Sequence, residues 1–236
     1  MNGTLYLIPN LLGVATPDSV LPQTTIAHAQ RINHFVVETP KVARAFLKTL
    51  SPERVIADIH MIACNEQYAR EQCLARLREG FDVGVISDAG CPGMADPGAV
   101  FVAAAHQAKI KVIPLVGPSS LLLGLMASGM NGQQLTFHGY LPAKADERAA
   151  ALKSLDQVIK NTGATQTFIE TPYRNAAMLE SIRGNVSAAT ALCVAQNLAS
   201  EGEQIISKTL NAWSEMDFEQ VSVKDPALFL LGRFAA

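Results

Sequence analysis

The sequence predicts an α/β fold, in which short strands alternate with helices along most of its 236 residues. Short apolar runs such as Val83–Ile86 are bounded by small and turn-forming residues, as buried parallel strands are. Segments with helical character separate these runs, and such alternation favours a parallel sheet covered by helices. A second series of elements begins near Gln133. We therefore predict two α/β domains, residues 1–116 and 117–236.

Each element is predicted from its apolar pattern and from the residues that end it. Pro9 and Asn10 stop the first strand, Gly80 suits a helix C-cap, and Asp96 precedes a proline at a helix start. In the first half, strands are predicted at residues 4–8, 35–37, 83–86 and 111–115, with helices at 42–50, 64–79, 97–106 and 119–127. In the second half, strands are predicted at residues 135–139, 166–170, 189–195, 204–209 and 227–231, with helices at 146–160 and 173–182.

Composition excludes several classes of protein. Apolar residues make up 49% of the chain and charged residues 17%, which predicts a compact fold. The net charge of −2 provides no general basic field for nucleic acid, although a local basic patch remains open. The four cysteines lack CxxC spacing and the histidines lack HxxxH or HxH, so we expect reduced thiols and no metal. The amino terminus lacks the basic region of a signal peptide, and no apolar run nears the roughly 20 residues of a membrane span. We expect a soluble, cytoplasmic protein.

Two loops of small residues follow two of the predicted strands. One is the sequence SDAGCPGMADPG from Ser87, and the other is GPSS at 117–120. Because open α/β sheets bind ligands at the carboxyl ends of their strands, these loops predict one cofactor pocket. Asp88 would accept hydrogen bonds from a nucleotide-like ligand or would only satisfy a tight turn. Ser119 and Ser120 would bind a polar ligand, cap a helix, or do both.

Other polar residues are candidates for the substrate side. Glu38 would orient a substrate hydroxyl, act as a base or cap the next helix, and the order Glu-Thr-Pro recurs at Glu170. Asn65 and the residue after it line a cleft or cap a helix. The charged face 144–148 is predicted to be solvated surface, although it follows a cleft-edge loop at 140–142. The chain has no GxGxxG, P-loop or GxSxG motif, which argues against dinucleotide, triphosphate and serine-nucleophile sites.

Five motifs, in order, make the chain similar to the tetrapyrrole methylase superfamily of S-adenosylmethionine (SAM)-dependent methyltransferases. They are GTLYLIP, VISDAGCPGMADPG, VGPSSLLLGLMASGM, FHGYLPAK and FIETPYR, and they most resemble the small-subunit rRNA 2′-O-methyltransferases over residues 3–183. The resemblance implies a homodimer of two-domain α/β chains, with a mainly parallel first sheet, a mixed second sheet and SAM in the cleft between the domains. The cofactor-binding residues that it implies are Pro9, Ser87, Asp88, Ala89, Gly90, Cys91, Pro92, Met94, Ser119, Ser120, Phe168 and Ile169.

The substrate-side motifs depart from this family. Its Glu-Asp-Thr-Arg is replaced by the sequence from Glu38 to Lys41, and lysine cannot give the bidentate grip of arginine. Its His-x-x-Asn-Glu keeps only Asn65 and Glu66, and its Arg-Glu-Leu-Thr-Lys loses both charged ends at residues 196–200. Because the chain ends at position 236, we expect it to lack the family's extra carboxyl-terminal domain. The substrate-side candidates are Glu38, Lys41, Asn65, Tyr140, Lys144, Tyr173 and Arg174.

Three hypotheses follow for the function. The first is a SAM-dependent methyltransferase whose acceptor is an RNA ribose 2′-hydroxyl, and the second is a methyltransferase acting on a small molecule such as a tetrapyrrole. The third is a SAM-binding sensor or partner protein without catalysis, suggested by the departures at Thr39, Cys64 and Asn197. A nicotinamide-dependent oxidoreductase is disfavoured because no glycine fingerprint follows the first strand.

Overall fold

A computed structural model describes residues 1–235. The chain divides into two compact units, one of residues Met1–Ser119 and one that begins at Ser120. The dividing point lies three residues beyond the boundary drawn from the sequence. Among residues 1–235, no helix combines the length and the apolar character that crossing a bilayer requires.

The first unit holds strands that alternate with helices, as its sequence pattern predicts. Its strands are β1 Leu5–Ile8, β2 His34–Val37, β3 His60–Ala63, β4 Val83–Ile86 and β5 Val112–Pro114. Its helices are α1 Pro17–Val20, α2 Gln23–Arg31, α3 Pro40–Leu50, α4 Ala69–Arg78 and α5 Ala99–Gln107. All of the strand pairs are parallel, and the strand order is β3-β2-β4-β1-β5.

The register of this sheet brings the loops of interest to one edge. Ile8 pairs with Ile86, and Val37 pairs with Ile86 on the other side of β4. The segments that follow β1, β2 and β4 therefore start side by side. Gly84 makes this packing possible, because a Cβ there would lie 2.6 Å from the Ile8 side chain and 2.8 Å from that of Phe35.

The second unit contains a mixed sheet, which confirms that prediction. Its strands are β6 Leu135–Tyr140, β7 Thr165–Glu170, β8 Ala191–Gln196, β9 Gln204–Thr209 and β10 Ala227–Gly232. Its helices are α6 Ser120–Ser128, α7 Ala145–Thr162, α8 Asn175–Asn185 and α9 Glu215–Gln220. The strand order is β6-β7-β10-β8-β9, in which β6 and β7 are parallel and the other pairs are antiparallel.

The core of the second unit lies between its sheet and the helices α7 and α8. Phe168 of β7 and Phe229 of β10 are fully buried there, with parallel rings 5.3 Å apart. Helix α6 packs on the opposite face of β10, where a Cβ on Gly124 would lie only 2.3 Å from the Leu228 side chain.

Several elements differ from their sequence predictions. The predicted helix 64–79 begins only at Ala69, because a turn precedes it and Tyr68 adopts a left-handed φ of 66°. Asp96 does not cap a helix, since α5 begins at Ala99 with Gly98 as its N-cap. The predicted helix from 173 begins instead as a short 3-10 helix, Pro172–Arg174. The sequence reading missed α1, α2, β3 and α9 altogether.

Candidate functional site

A buried asparagine fastens the loop after β4 to the end of β1. Asn10 is 4% exposed, and its side-chain amide donates to the carbonyl oxygens of Ser87 at 3.1 Å and Asp88 at 3.0 Å. Its backbone N–H donates to the carbonyl oxygen of Gly90 at 2.9 Å. These bonds fix the first residues of the loop at the carboxyl edge of the sheet.

Two acidic side chains join the same loop to the end of β2. The Glu38 carboxylate accepts a hydrogen bond from the backbone N–H of Asp88 at 3.0 Å. In return, the Asp88 carboxylate accepts bonds from the backbone N–H of Thr39 at 3.1 Å and from its hydroxyl at 2.7 Å. Glu38 therefore holds the loop after β4 at the sheet edge and does not cap α3. Asp88 reaches across to a neighbouring strand, so it does more than close its own turn.

Glycines allow the loops after β1, β4 and β5 to approach one another closely. Gly90 has a left-handed φ of +65°, and a Cβ there would lie 3.0 Å from Leu12 Cδ2. A Cβ on Gly117 would lie 2.4 Å from the Cβ of Pro9, so the loop after β5 sits directly against the end of β1. The Cys91 thiol donates to the carbonyl oxygen of Pro118 at 3.4 Å. The predicted cofactor residues of the first unit are thus gathered at one edge.

The carboxyl group of Asp96 is close enough to this edge to be affected by the charges of Glu38 and Asp88. Burial, followed by the charges of Glu38 and Asp88, raises the pKa of Asp96 from 3.8 to about 6. Burial, ahead of the Glu38 charge, also raises the pKa of the Cys64 thiol, and burial ahead of the Asp96 charge raises that of Cys91. Both thiols are therefore protonated at neutral pH, which argues against either acting as a nucleophile.

Asp96→Asn is expected to stabilise the protein at pH 7 and to have no effect near pH 4. The folded state holds the Asp96 proton up to about pH 6, whereas an ordinary aspartate in the unfolded chain loses it near 3.8. Folding therefore becomes less favourable as the pH rises between these values, and the asparagine variant avoids that loss. Solvent screening of this partly exposed carboxyl group keeps the difference below the roughly 3 kcal/mol that the full pKa shift would give. Urea unfolding of both proteins at pH 4 and pH 7 measures it, and equal stabilities at pH 7 would contradict it.

In the second unit, the predicted residue Arg174 forms an ion pair with the buried carboxylate of Glu170. The Glu170 side chain is fully buried, and its Oε2 lies 3.0 Å from Nη2 of Arg174. Its Oε1 accepts the backbone N–H of Thr171 at 2.8 Å. Arg174 Nη2 also donates to the carbonyl oxygens of Leu141 at 3.0 Å and Pro142 at 3.2 Å. The order Glu-Thr-Pro thus recurs in both units, but Glu38 bonds to a distant loop whereas Glu170 bonds to its own segment.

The remaining predicted residues fall into exposed and buried sets. Tyr140, Lys144 and Tyr173 are exposed in the second unit, and Lys41, Asn65, Ala89 and Met94 are exposed in the first. Pro92 is buried, Ile169 is half-buried, and Ser119 and Ser120 are half-buried where α6 begins. Asn65 does not cap α4, which starts four residues later.

Two side chains singled out in the sequence are buried in the second unit. The ring of Phe168, a predicted cofactor-binding residue, packs against Phe229, so its backbone is the part left for such a contact, and the prediction itself stays a prediction. Arg148 was expected on a solvated face, but it is 7% exposed and donates to Ser181 Oγ and to the carbonyl oxygen of Ala143, each at 2.9 Å. Helical periodicity placed Arg148 on the charged side without showing that α8 covers it.

Three residues at the first edge were missed as site residues: Asn10, Thr39 and Asp96. The sequence pattern indicates only a strand terminator at Asn10, a departure from the family motif at Thr39 and a helix cap at Asp96. A polar residue directly after an apolar strand, as Asn10 is, was the available signal.

The carboxyl edge of the first unit's sheet has the charge and the close backbone approach that a SAM site needs. The left-handed backbone at Gly90 and the lack of room for a Cβ there show how closely other groups approach this loop. The carboxylates of Glu38, Asp88 and Asp96 give the edge a negative charge that suits a sulfonium cation. Among residues 1–235, no group of three or more His, Cys, Asp or Glu side chains has an arrangement that could hold a metal ion.

Comparison with known proteins then gives the family. No protein-family model matches the chain. The chain is 30% identical over 236 residues to ribosomal RNA small subunit methyltransferase I of Pseudomonas aeruginosa, covering 92% of the chain and 75% of that relative. The chain belongs to the ribosomal RNA small subunit methyltransferase I family. Its relative in Micromonospora olivasterospora is 34% identical over 210 residues, covering 89% of the chain and 64% of the relative, so the chain spans less than two thirds of that protein's length.

A solved structure supports the predicted fold. Uroporphyrin III C-methyl transferase from Thermus thermophilus superposes with a TM-score of 0.55 at 18% identity, covering 98% of the chain and 97% of that structure. At this identity the likeness concerns the fold alone. The predicted small-subunit rRNA methyltransferase branch and the two-sheet α/β fold are confirmed, and the predicted class of enzyme agrees with the names of these relatives.

Proposed function

We propose that this member of the ribosomal RNA small subunit methyltransferase I family is a SAM-dependent enzyme that methylates a ribose 2′-hydroxyl of small-subunit rRNA. The observation that carries the proposal is the loop after β4, which retains the family's SDAG sequence and is fixed by Asn10, Glu38 and Thr39. We place SAM against this loop. The names of the relatives supply the class of acceptor.

Methyl transfer from SAM needs little acid–base catalysis from the protein. SAM supplies a methyl group that is already electrophilic because its sulfur is positively charged. The residues at the loop need to hold the acceptor oxygen in line with the methyl carbon and the sulfur, which can contribute roughly 7–11 kcal/mol. With SAM bound, the new C–O bond would form as the C–S bond breaks, and the hydroxyl proton would pass to a base. We assign Glu38 to orienting that hydroxyl, because it is the substrate-side carboxylate bonded directly to the loop.

The test combines calorimetry with a methylation assay. We expect the purified chain to bind SAM and to transfer its labelled methyl group to small ribosomal subunits isolated from cells that lack the corresponding methyltransferase. Digestion of the labelled rRNA to nucleosides should then yield a 2′-O-methylated nucleoside. Labelled base or labelled protein would contradict the proposed acceptor, and absence of SAM binding would contradict the cofactor site.

The same assay separates the SAM-binding sensor, which the altered residues at Thr39, Cys64 and Asn197 suggest. Tight SAM binding without transfer to rRNA or to a panel of tetrapyrroles would favour it. Against the sensor, Thr39 still holds Asp88 through two hydrogen bonds, so this departure leaves the loop organised. A homodimer and a cytoplasmic location belong to the same proposal and are supported by the family resemblance.

A further inference from the structure

Two tyrosine rings stand at the surface of the second unit on neighbouring segments. Tyr140, at the end of β6, is 56% exposed, and Tyr173, in the short helix after β7, is 80% exposed. Their chain neighbours are in direct contact, since Arg174 donates to the carbonyl oxygen of Leu141 at 3.0 Å. Each tyrosine is therefore one residue away from a hydrogen bond that joins the two segments. We call Tyr140 and Tyr173 the tyrosine platform.

Contacts of the Arg174 side chain hold these two segments together. Arg174 bonds to the carbonyl oxygens of Leu141 and Pro142 and pairs with the buried carboxylate of Glu170 at 3.0 Å. We call this set of contacts the arginine clamp. Burial removes the hydration of this carboxylate, and its Oε2 makes no hydrogen bond among the described residues, so the nearby charge of Arg174 is what compensates it. Here the pair fixes a surface segment before any partner arrives, which reduces the entropy lost on binding.

Electric charge gives this surface little attraction for phosphate. Lys144 is 76% exposed on its side chain but pairs with Glu147 at 2.9 Å, and Asp146 lies beside it in the first turn of α7. The chain as a whole carries a net charge of −2. Any binding of RNA here must rest on contacts other than a basic field. Aromatic rings provide such contacts, since unpaired bases stack on tyrosine whatever their sequence.

We propose that the tyrosine platform stacks unpaired bases of single-stranded RNA, and that the arginine clamp positions it. The proposal rests on the proposed function, because it takes RNA as the acceptor, and it adds which form of RNA is recognised. Arg174 changes its expected role accordingly, from a substrate contact to a positioning residue. Lys144 can exchange Glu147 for a backbone phosphate at little cost, because exposed ion pairs contribute little to stability.

The first experiment measures RNA binding by fluorescence anisotropy with two labelled probes, single-stranded oligo(A) and an RNA duplex of the same length. Tyr173→Leu is expected to weaken oligo(A) binding roughly tenfold, while Tyr173→Phe, which keeps the aromatic face, should restore it to within about twofold. Met216→Ala removes another exposed apolar side chain, on α9, and is the control. Equal affinity of wild type and Tyr173→Leu for oligo(A), or an equal loss on the duplex, would overturn the platform.

The second experiment tests the arginine clamp by kinetics. Arg174→Lys keeps the charge but replaces the rigid guanidinium, whose Nη2 makes all three contacts, by an ammonium on a flexible stem. We expect a roughly tenfold higher KM for RNA, with kcat and the Kd for SAM within about twofold of wild type. A fall in kcat with an unchanged KM would contradict a positioning role. If wild type binds SAM but methylates a tetrapyrrole and no RNA, the proposed acceptor fails. If wild type methylates rRNA and Tyr173→Leu binds oligo(A) normally, only the platform fails.

Discussion

Replacing Gly90 with valine is expected to weaken SAM binding by at least roughly tenfold and to destabilise the first unit by about 2 kcal/mol. Gly90 has a φ of +65°, a conformation that costs a β-branched residue more than most. Its Cβ would also lie 3.0 Å from Leu12 Cδ2, so the Leu12 side chain must give way in addition to the strain on the loop backbone. Calorimetry with SAM and urea unfolding followed by circular dichroism measure the two effects.

Two controls separate backbone strain from damage to the loop. Gly163 has a similar φ of +71° but nothing within 4 Å of a built Cβ, so Gly163→Val should destabilise the protein without changing SAM affinity. Gly90→Asn adds a Cβ at the loop but tolerates the left-handed backbone, so it should destabilise less than valine does. A folded Gly90→Val protein that binds SAM like wild type would show that the cofactor lies elsewhere.

Replacing Phe168 with alanine is expected to lower the free energy of unfolding of the second unit by about 3–5 kcal/mol. The ring is fully buried and stacks on Phe229, so truncation removes a core contact and leaves a cavity. Trp213 is the one tryptophan in the sequence and lies in the same core, so its fluorescence during urea unfolding reports this unit.

Phe168→Leu is the matched variant that separates a core role from a cofactor role. Leucine keeps an apolar side chain in the core, so a smaller loss of stability is expected. SAM affinity should stay unchanged, because the ring faces the core and not the expected cofactor. A loss of SAM affinity in Phe168→Leu without a loss of stability would show that the Phe168 ring contacts the cofactor.

Prediction from the sequence succeeded where local pattern and structure coincide. Val83–Ile86 is apolar throughout and is buried throughout, so its strand was placed with its observed bounds. β3 was missed because it has only four residues and its first, His60, is polar and exposed, which interrupts the apolar pattern there. α2 was missed because its sequence, QTTIAHAQR, is polar enough to pass for a loop until its buried face is known.

The candidate site was predicted in part. The loop after β4 and its partner after β5 were found because apolar strands followed by small residues mark the carboxyl edge of an α/β sheet. The bonds from Asn10 and Thr39 to this loop were not found, since they join residues 77 or 78 and 49 positions apart in the chain. Such pairs depend on strand order, which no local pattern specifies.

The sequence by itself determined the class of fold, the strands that are buried on both faces, the loops at their ends and the family. It did so because burial and turn formation depend on residues close together in the chain. Only the tertiary structure decided the work of individual side chains: that Glu38 and Asp88 bond across two strands, that Phe168 belongs to the core, and that Arg174 holds a neighbouring segment. Each of these roles depends on which distant residue lies within about 3 Å, and that distance is fixed by packing.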